Sequence, residues 1–110
     1  MSLPNAGAAL IERSKIAEYL LSAAHPVGRF KAVFFRALGF NAAAWPDLRD
    51  AILTVAQTGA ATELPPTLFG RRFEVRGTLV GPSGGAARIV TAWIVRSDED
   101  FPRFVTAYPE

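Results

Sequence analysis

The chain contains no cysteine among its 110 residues. That excludes a disulfide framework, a thiolate metal centre and a cysteine nucleophile. Histidine is nearly as scarce, with His25 alone. The acids at 12, 18, 47, 50, 63, 74 and 98 to 100 fall at no ligand spacing that a transition metal requires, so neither a metal nor any other cofactor is expected. Of the twelve basic residues only Lys15 and Lys31 are lysine, and the rest are arginine. Long apolar runs are also missing, so no stretch approaches the roughly 20 residues a membrane span needs. MSLPNAGAALIERS lacks a basic first segment, and its apolar run is cut by Glu12 and Arg13. These features predict a soluble, cytoplasmic protein with no membrane partner.

What is present is the composition of one globular domain spanning residues 1–110. Half the residues are hydrophobic and 20% are charged, enough apolar surface for a core without staples. A net charge of +2 permits a phosphate-bearing partner without demanding one. Arginine reads phosphate bidentately, which suits that class of ligand.

The stretch HPVGRFKAVFFRALGF, residues 25 to 40, organises the rest. Pro26 suits the first helical position, which puts His25 at the N-cap. Phe30, Val33, Phe34 and Ala37 recur at i, i+3, i+4 and i+7, a stripe expected to face the core, and Gly39 ends the helix. Arg29 and Lys31 near the positive end of the helix dipole, beside His25, suggest an anion site.

Before this stretch, Leu3 to Ile11 reads as a loop leading into a short extended piece. Arg13 or Ser14 then opens a helix with Ile16, Tyr19, Leu20 and Ala23 on one side. After it, Asn41 caps a third helix that carries Pro46 in its first turn and closes at Thr58 and Gly59. Residues 62 to 70 read as irregular because Pro65 and Pro66 forbid a helix interior or a central strand. Alternation returns at Phe73 to Val80, with a possible bulge at Gly77. GPSGG, residues 81 to 85, is a hairpin turn. RIVTAWIVR, residues 88 to 96, is the expected central strand, and Arg103 to Tyr108 the last. The expected fold is therefore α+β: about three N-terminal helices followed by an antiparallel sheet of three to four strands.

His25 is the natural proton carrier at neutral pH, against a plain capping role. On the sheet half, alternation brings some of Arg71, Arg72, Arg76, Arg88, Arg96 and Arg103 to one face. With Thr91, Thr106 and Tyr108 they could form a phosphate-binding surface, against an ordinary solvent face cross-paired to the acids. Trp45 and Trp93 read as core anchors.

A helix ending in YLL, HPVGRFKAVFFRALGF, the later GRRFEVRG and GPSGG, and the closing PRFVTAYP together resemble an uncharacterised bacterial family of small domains of unknown function. The likeness spans nearly the whole chain. More distantly, helices before an antiparallel sheet, an early histidine near lysine and arginine, and a terminal strand ending TAYP resemble the metal-independent ribonucleases of the barnase, EndoU, colicin and RelE types. That likeness implies a toxin-related endoribonuclease cleaving RNA by 2′-hydroxyl attack, with RNA as substrate and an antitoxin or immunity protein as partner. Within it His25 would be the acid/base, and Lys31, Arg72 or Arg88 would steady the phosphorane. Thr106 or Tyr108 would bind the scissile phosphate, with Arg29, Arg76 and Thr91 as further binding residues. The alternative is a non-catalytic module for protein or nucleic acid on the same fold.

Overall fold

A computed structural model describes residues 1–110. The N-terminal half carries a 3₁₀ turn at Ala6–Ala8, a short helix α1 (Arg13–Lys15) that continues as a π-helical segment (Ile16–Leu20), then α2 (Gly28–Ala37) and α3 (Trp45–Thr58). Four strands follow: β1 (Ala60–Thr67), β2 (Gly70–Val80), β3 (Ala86–Arg96) and β4 (Pro102–Pro109). They form one antiparallel sheet in the order β1-β2-β3-β4. The expected α+β architecture is the observed one. No helix is long and apolar enough to cross a membrane.

The core lies between the helices and one face of the sheet. Phe73, Val75, Leu79, Ile89, Trp93, Phe104 and Ala107 supply the strand side. Ile16, Leu20, Phe35, Leu48, Ile52 and Val55 supply the helical side. The opposite sheet face alternates with these positions and carries Arg72, Glu74, Arg76 and Arg88. Trp93 anchors the core as expected, whereas Trp45 only packs against its margin, near the guanidinium groups of Arg13 and Arg49.

Three local expectations need correction. The buried face of α2 is Gly28, Ala32 and Phe35, so most of the predicted stripe is turned outward: Phe30 is 70% exposed, Val33 72% and Ala37 exposed, while Phe34 stays half-buried against the core. The cause is Gly28, where a Cβ would stand 2.0 Å from the carbonyl oxygen of Tyr19. Only a glycine lets α2 approach the preceding helix that closely, and this contact, rather than the larger side chains, sets its rotation.

Residues 60 to 67 are a strand despite Pro65 and Pro66. They lie on the sheet edge, where a missing N–H is tolerated, and the register slips between Leu64 and Thr67. Gly77 is no bulge, since β2 and β3 pair without interruption from Gly70↔Arg96 to Val80↔Ala86. It is instead a close approach, with a virtual Cβ 3.0 Å from Val55 Cγ1. The irregularity falls in β4: Ala92 pairs with Thr106 but Trp93 with Phe104, which leaves Val105 as the extra residue.

The rotation of α2 is testable by stability. Phe35→Ala should cost about 3–5 kcal/mol in chemical denaturation, whereas Phe30→Ala, equally aromatic and five residues away, should stay within about 0.5 kcal/mol of the parent. Equal losses would contradict this packing.

Candidate functional site

The extra residue in β4 decides where the late hydroxyls point. Phe104 faces the core opposite Trp93, and uninterrupted alternation would send Thr106 the same way. With Val105 inserted, Ala107 takes the buried position, while Thr106 and Tyr108 turn to the open sheet face alongside Glu74 and Arg76. β4 is an edge strand, and Leu10 covers only its beginning through a parallel bridge to Arg103. Beyond that bridge Thr106 meets the helical half.

There it meets a lysine. Lys31 Nζ donates to Thr106 Oγ1 at 2.6 Å and to Tyr19 Oη at 2.9 Å, and the two hydroxyl oxygens are themselves 3.2 Å apart. The ammonium also stands 5.8 Å from the centre of the Tyr108 ring. Two of its three protons are committed and one remains for a ligand. Tyr19 and Thr106, with Ser14, Lys15, Glu18 and His25, line a surface cleft of about 560 Å³. Another cleft, about 550 Å³, lies between Pro4, the β1–β2 turn and residues 95 to 100. It is the less suitable site, because Arg71 is already bound to Glu63 and Glu99 to Arg103.

α2 begins at Gly28 with Val27 at its N-cap, so Pro26 lies ahead of the first turn rather than in it, yet the His25 side chain still takes capping hydrogen bonds from the helix start. Its Nδ1 accepts the backbone N–H of Val27 at 3.1 Å and of Gly28 at 3.0 Å, while its carbonyl accepts from Arg29. The imidazole thus occupies the donors that the predicted anion site at this helix terminus required, and that site is filled from within. Two donors on Nδ1 leave the ring proton on Nε2, which makes the other ring nitrogen a hydrogen-bond donor. The ring stands edge-on to Tyr19, with centroids 4.9 Å apart.

Among the residues singled out from sequence, His25, Lys31, Thr106 and Tyr108 come together. The arginines do not join them, and no arginine lines the cleft. Arg29 lies over the Phe30 ring on the solvent side of α2, with 4.8 Å to its centre. Arg72 donates to the Pro65 carbonyl near the β1 edge. Arg76 is held by Glu74 and Glu110, and Arg88 by Glu110. Thr91 is fully buried, accepting from Trp93 Nε1 and donating to the Val75 carbonyl, so its hydroxyl is a core bond rather than a ligand contact.

Sequence reasoning missed Tyr19 and Glu74. Tyr19 reads as part of an apolar stripe, and its hydroxyl becomes visible only through the π-helical winding that aims it at β4. Burial alone would raise its pKa. The hydrogen bonds from Lys31 and Thr106, with the charges of Lys31 and Lys15, overcome that and hold it below the ordinary 10.0. Tyr108 behaves oppositely, because its hydroxyl donates to Glu74 Oε2 at 2.7 Å, and this bond, burial and the Glu74 charge raise it above 10.0.

With this geometry established, comparison with known proteins places the chain. A family profile described as a domain of unknown function, DUF6883, matches residues 2–110. The chain belongs to this family. No curated protein matches it significantly. Among solved structures it is similar to a chain of a contact-dependent growth inhibition toxin–immunity protein complex from Klebsiella pneumoniae 342, with a TM-score of 0.69 and 17% identity, covering 96% of each chain. At that identity the likeness establishes a shared fold.

The two tyrosines, Tyr19 and Tyr108, give the site a spectroscopic signature. Titration followed by tyrosinate absorbance should resolve one ionisation below and one above pH 10.0, and Lys31→Met should move the lower one upward. By linkage, ionisation of Tyr19 favours the folded chain as pH rises through its lowered value towards 10.0, whereas the raised value of Tyr108 withdraws stability above it. Coincident ionisations at pH 10.0 would contradict the contacts.

Proposed function

We propose that the domain is a metal-independent endoribonuclease related to bacterial toxins, acting by attack of the RNA 2′-hydroxyl on the adjacent phosphate. The observation that carries this reading is a cleft lined by Tyr19, Thr106 and His25 from three separate segments, with Lys31 from a fourth bonded to the first two of them at its edge. The reaction requires only proton transfer and stabilisation of a phosphorane, and these groups suit both. Lys31, with one proton uncommitted, neutralises the developing charge. Thr106 is placed for a non-bridging oxygen, and His25 donates from Nε2. The arginines assigned from sequence are engaged elsewhere, so the cation of this chemistry is lysine.

The fold shared with a chain of a toxin–immunity complex supports the toxin-related reading and an immunity protein as partner. A non-catalytic binding module is the second reading, favoured by the exposed Phe30 and Val33 on α2 and Val27 just before it, an apolar ridge suited to a protein partner.

Incubation of the purified chain with total RNA in chelator should release fragments ending in 2′,3′-cyclic phosphate. His25→Asn separates catalysis from capping, because asparagine is a good N-cap but lacks the Nε2 proton. Its stability should remain within about 1 kcal/mol of the parent, while cleavage falls roughly 10²-fold. Full activity in His25→Asn would reduce the histidine to a cap, and RNA bound but left intact by the parent chain would favour the binding module.

A further inference from the structure

We propose that Tyr19 is the proton acceptor for the attacking 2′-hydroxyl, an inference that rests on the ribonuclease reading and fills the role which that reading leaves open. The usual base is unsuited here. Nδ1 of His25 is occupied by two backbone N–H groups, and its Nε2 carries the proton, so the imidazole can take another only by giving up the α2 cap. Lys31 donates to two hydroxyl oxygens, a geometry that requires its protons. Thr106 Oγ1 is an alcohol oxygen with no titration of its own in water. Tyr19 Oη, by contrast, accepts from the Lys31 ammonium at 2.9 Å and lies 3.2 Å from Thr106 Oγ1 in the cleft wall.

The charged groups facing Tyr19 agree with that role. From α2 comes Lys31, and from its own helix come Lys15 and Glu18. The connecting turn gives His25, and β4 gives the polar Thr106 and, across Lys31, Tyr108. Glu18 is the one carboxylate lining the cleft, but it is exposed and bonded to nothing, so nothing aims it at a bound phosphate. The net of these contacts favours the phenolate.

In the step, the Tyr19 phenolate takes the 2′-O–H proton as the O2′–P bond forms and the P–O5′ bond breaks. The leaving 5′-oxygen takes its proton from solvent water, and the phenol later returns its own to solvent. Proton count and charge balance without a metal or second reactant. Lys31 serves twice, drawing Tyr19 towards ionisation and neutralising the phosphorane.

The test is the rate of cleavage of a short RNA against pH, in chelator, for the parent chain, Tyr19→Phe and Glu18→Gln, with folding checked by circular dichroism. The parent rate should climb about tenfold per pH unit until the Tyr19 absorbance appears, since the phenolate fraction does so below its pKa. Tyr19→Phe should lose roughly 10²–10⁴-fold. A profile levelling off near pH ~6.5 would indicate an imidazole, and one levelling off near ~4.3 a carboxylate; either would overturn the assignment, as would loss of activity in Glu18→Gln with Tyr19→Phe intact.

Should Tyr19→Phe fail to fold, Lys31→Met carries the test. Its residual rate-pH limb must move upward together with the Tyr19 absorbance, and a limb that stays while the absorbance moves overturns the proposal. Cleavage by the parent chain that Tyr19→Phe retains removes this assignment alone. A parent chain without cleavage removes the ribonuclease reading, and this assignment with it.

Discussion

The hydrogen bond from Lys31 to Thr106 joins residues 75 positions apart and ties α2 to the edge of the sheet. Everything proposed for the site depends on that closure. A half-buried ammonium held by hydroxyl oxygens alone is only partly repaid for lost water, because no carboxylate neutralises it. Most cations of the sheet are paired with carboxylates, Arg71 with Glu63, Arg76 with Glu74 and Glu110, Arg88 with Glu110 and Arg103 with Glu99, while Arg72 donates to the Pro65 carbonyl. The contrast separates a surface balanced for stability from a spot where positive charge is left for something else to meet.

Two backbone features make the closure possible. The glycine at position 28 lets the start of α2 rest on the Tyr19 carbonyl, and one turn further on Lys31 then lies within reach of the Tyr19 hydroxyl. The extra residue at Val105 reverses the alternation of β4, so that Thr106 turns outward as Ala107 fills the core. A bulge on an edge strand commonly redirects a side chain, and here it places a hydroxyl against the helical half. The His25 cap fixes the origin of α2 and so belongs to the same construction.

The order of helices and strands was legible because period and punctuation agreed: apolar residues at three and four before residue 58, alternation after residue 72, and turn residues at GPSGG. The face of α2 was not. Phe30 and Val33 outweigh Gly28 and Ala32 in any reading by hydrophobicity, yet a close backbone contact admits only the small residues. Pro65 and Pro66 argued against a strand, and only knowledge that β1 is an edge makes them acceptable. For the site, His25, Lys31 and Thr106 stood out by residue type. Tyr19 was hidden in an apolar pattern, and the arginines were over-weighted, since sequence does not reveal which guanidinium already has a carboxylate beside it.

The most direct test of the account is to map where RNA touches the chain, using an oligonucleotide whose 2′-hydroxyls are replaced by hydrogen so that it binds without reacting. In nuclear magnetic resonance titration the account predicts the largest shifts at Lys31, Tyr19, Thr106 and the His25 ring. Shifts confined to the exposed α2 ridge at Phe30 and Val33, or to the β1–β2 turn at Leu68 and Phe69, would contradict it.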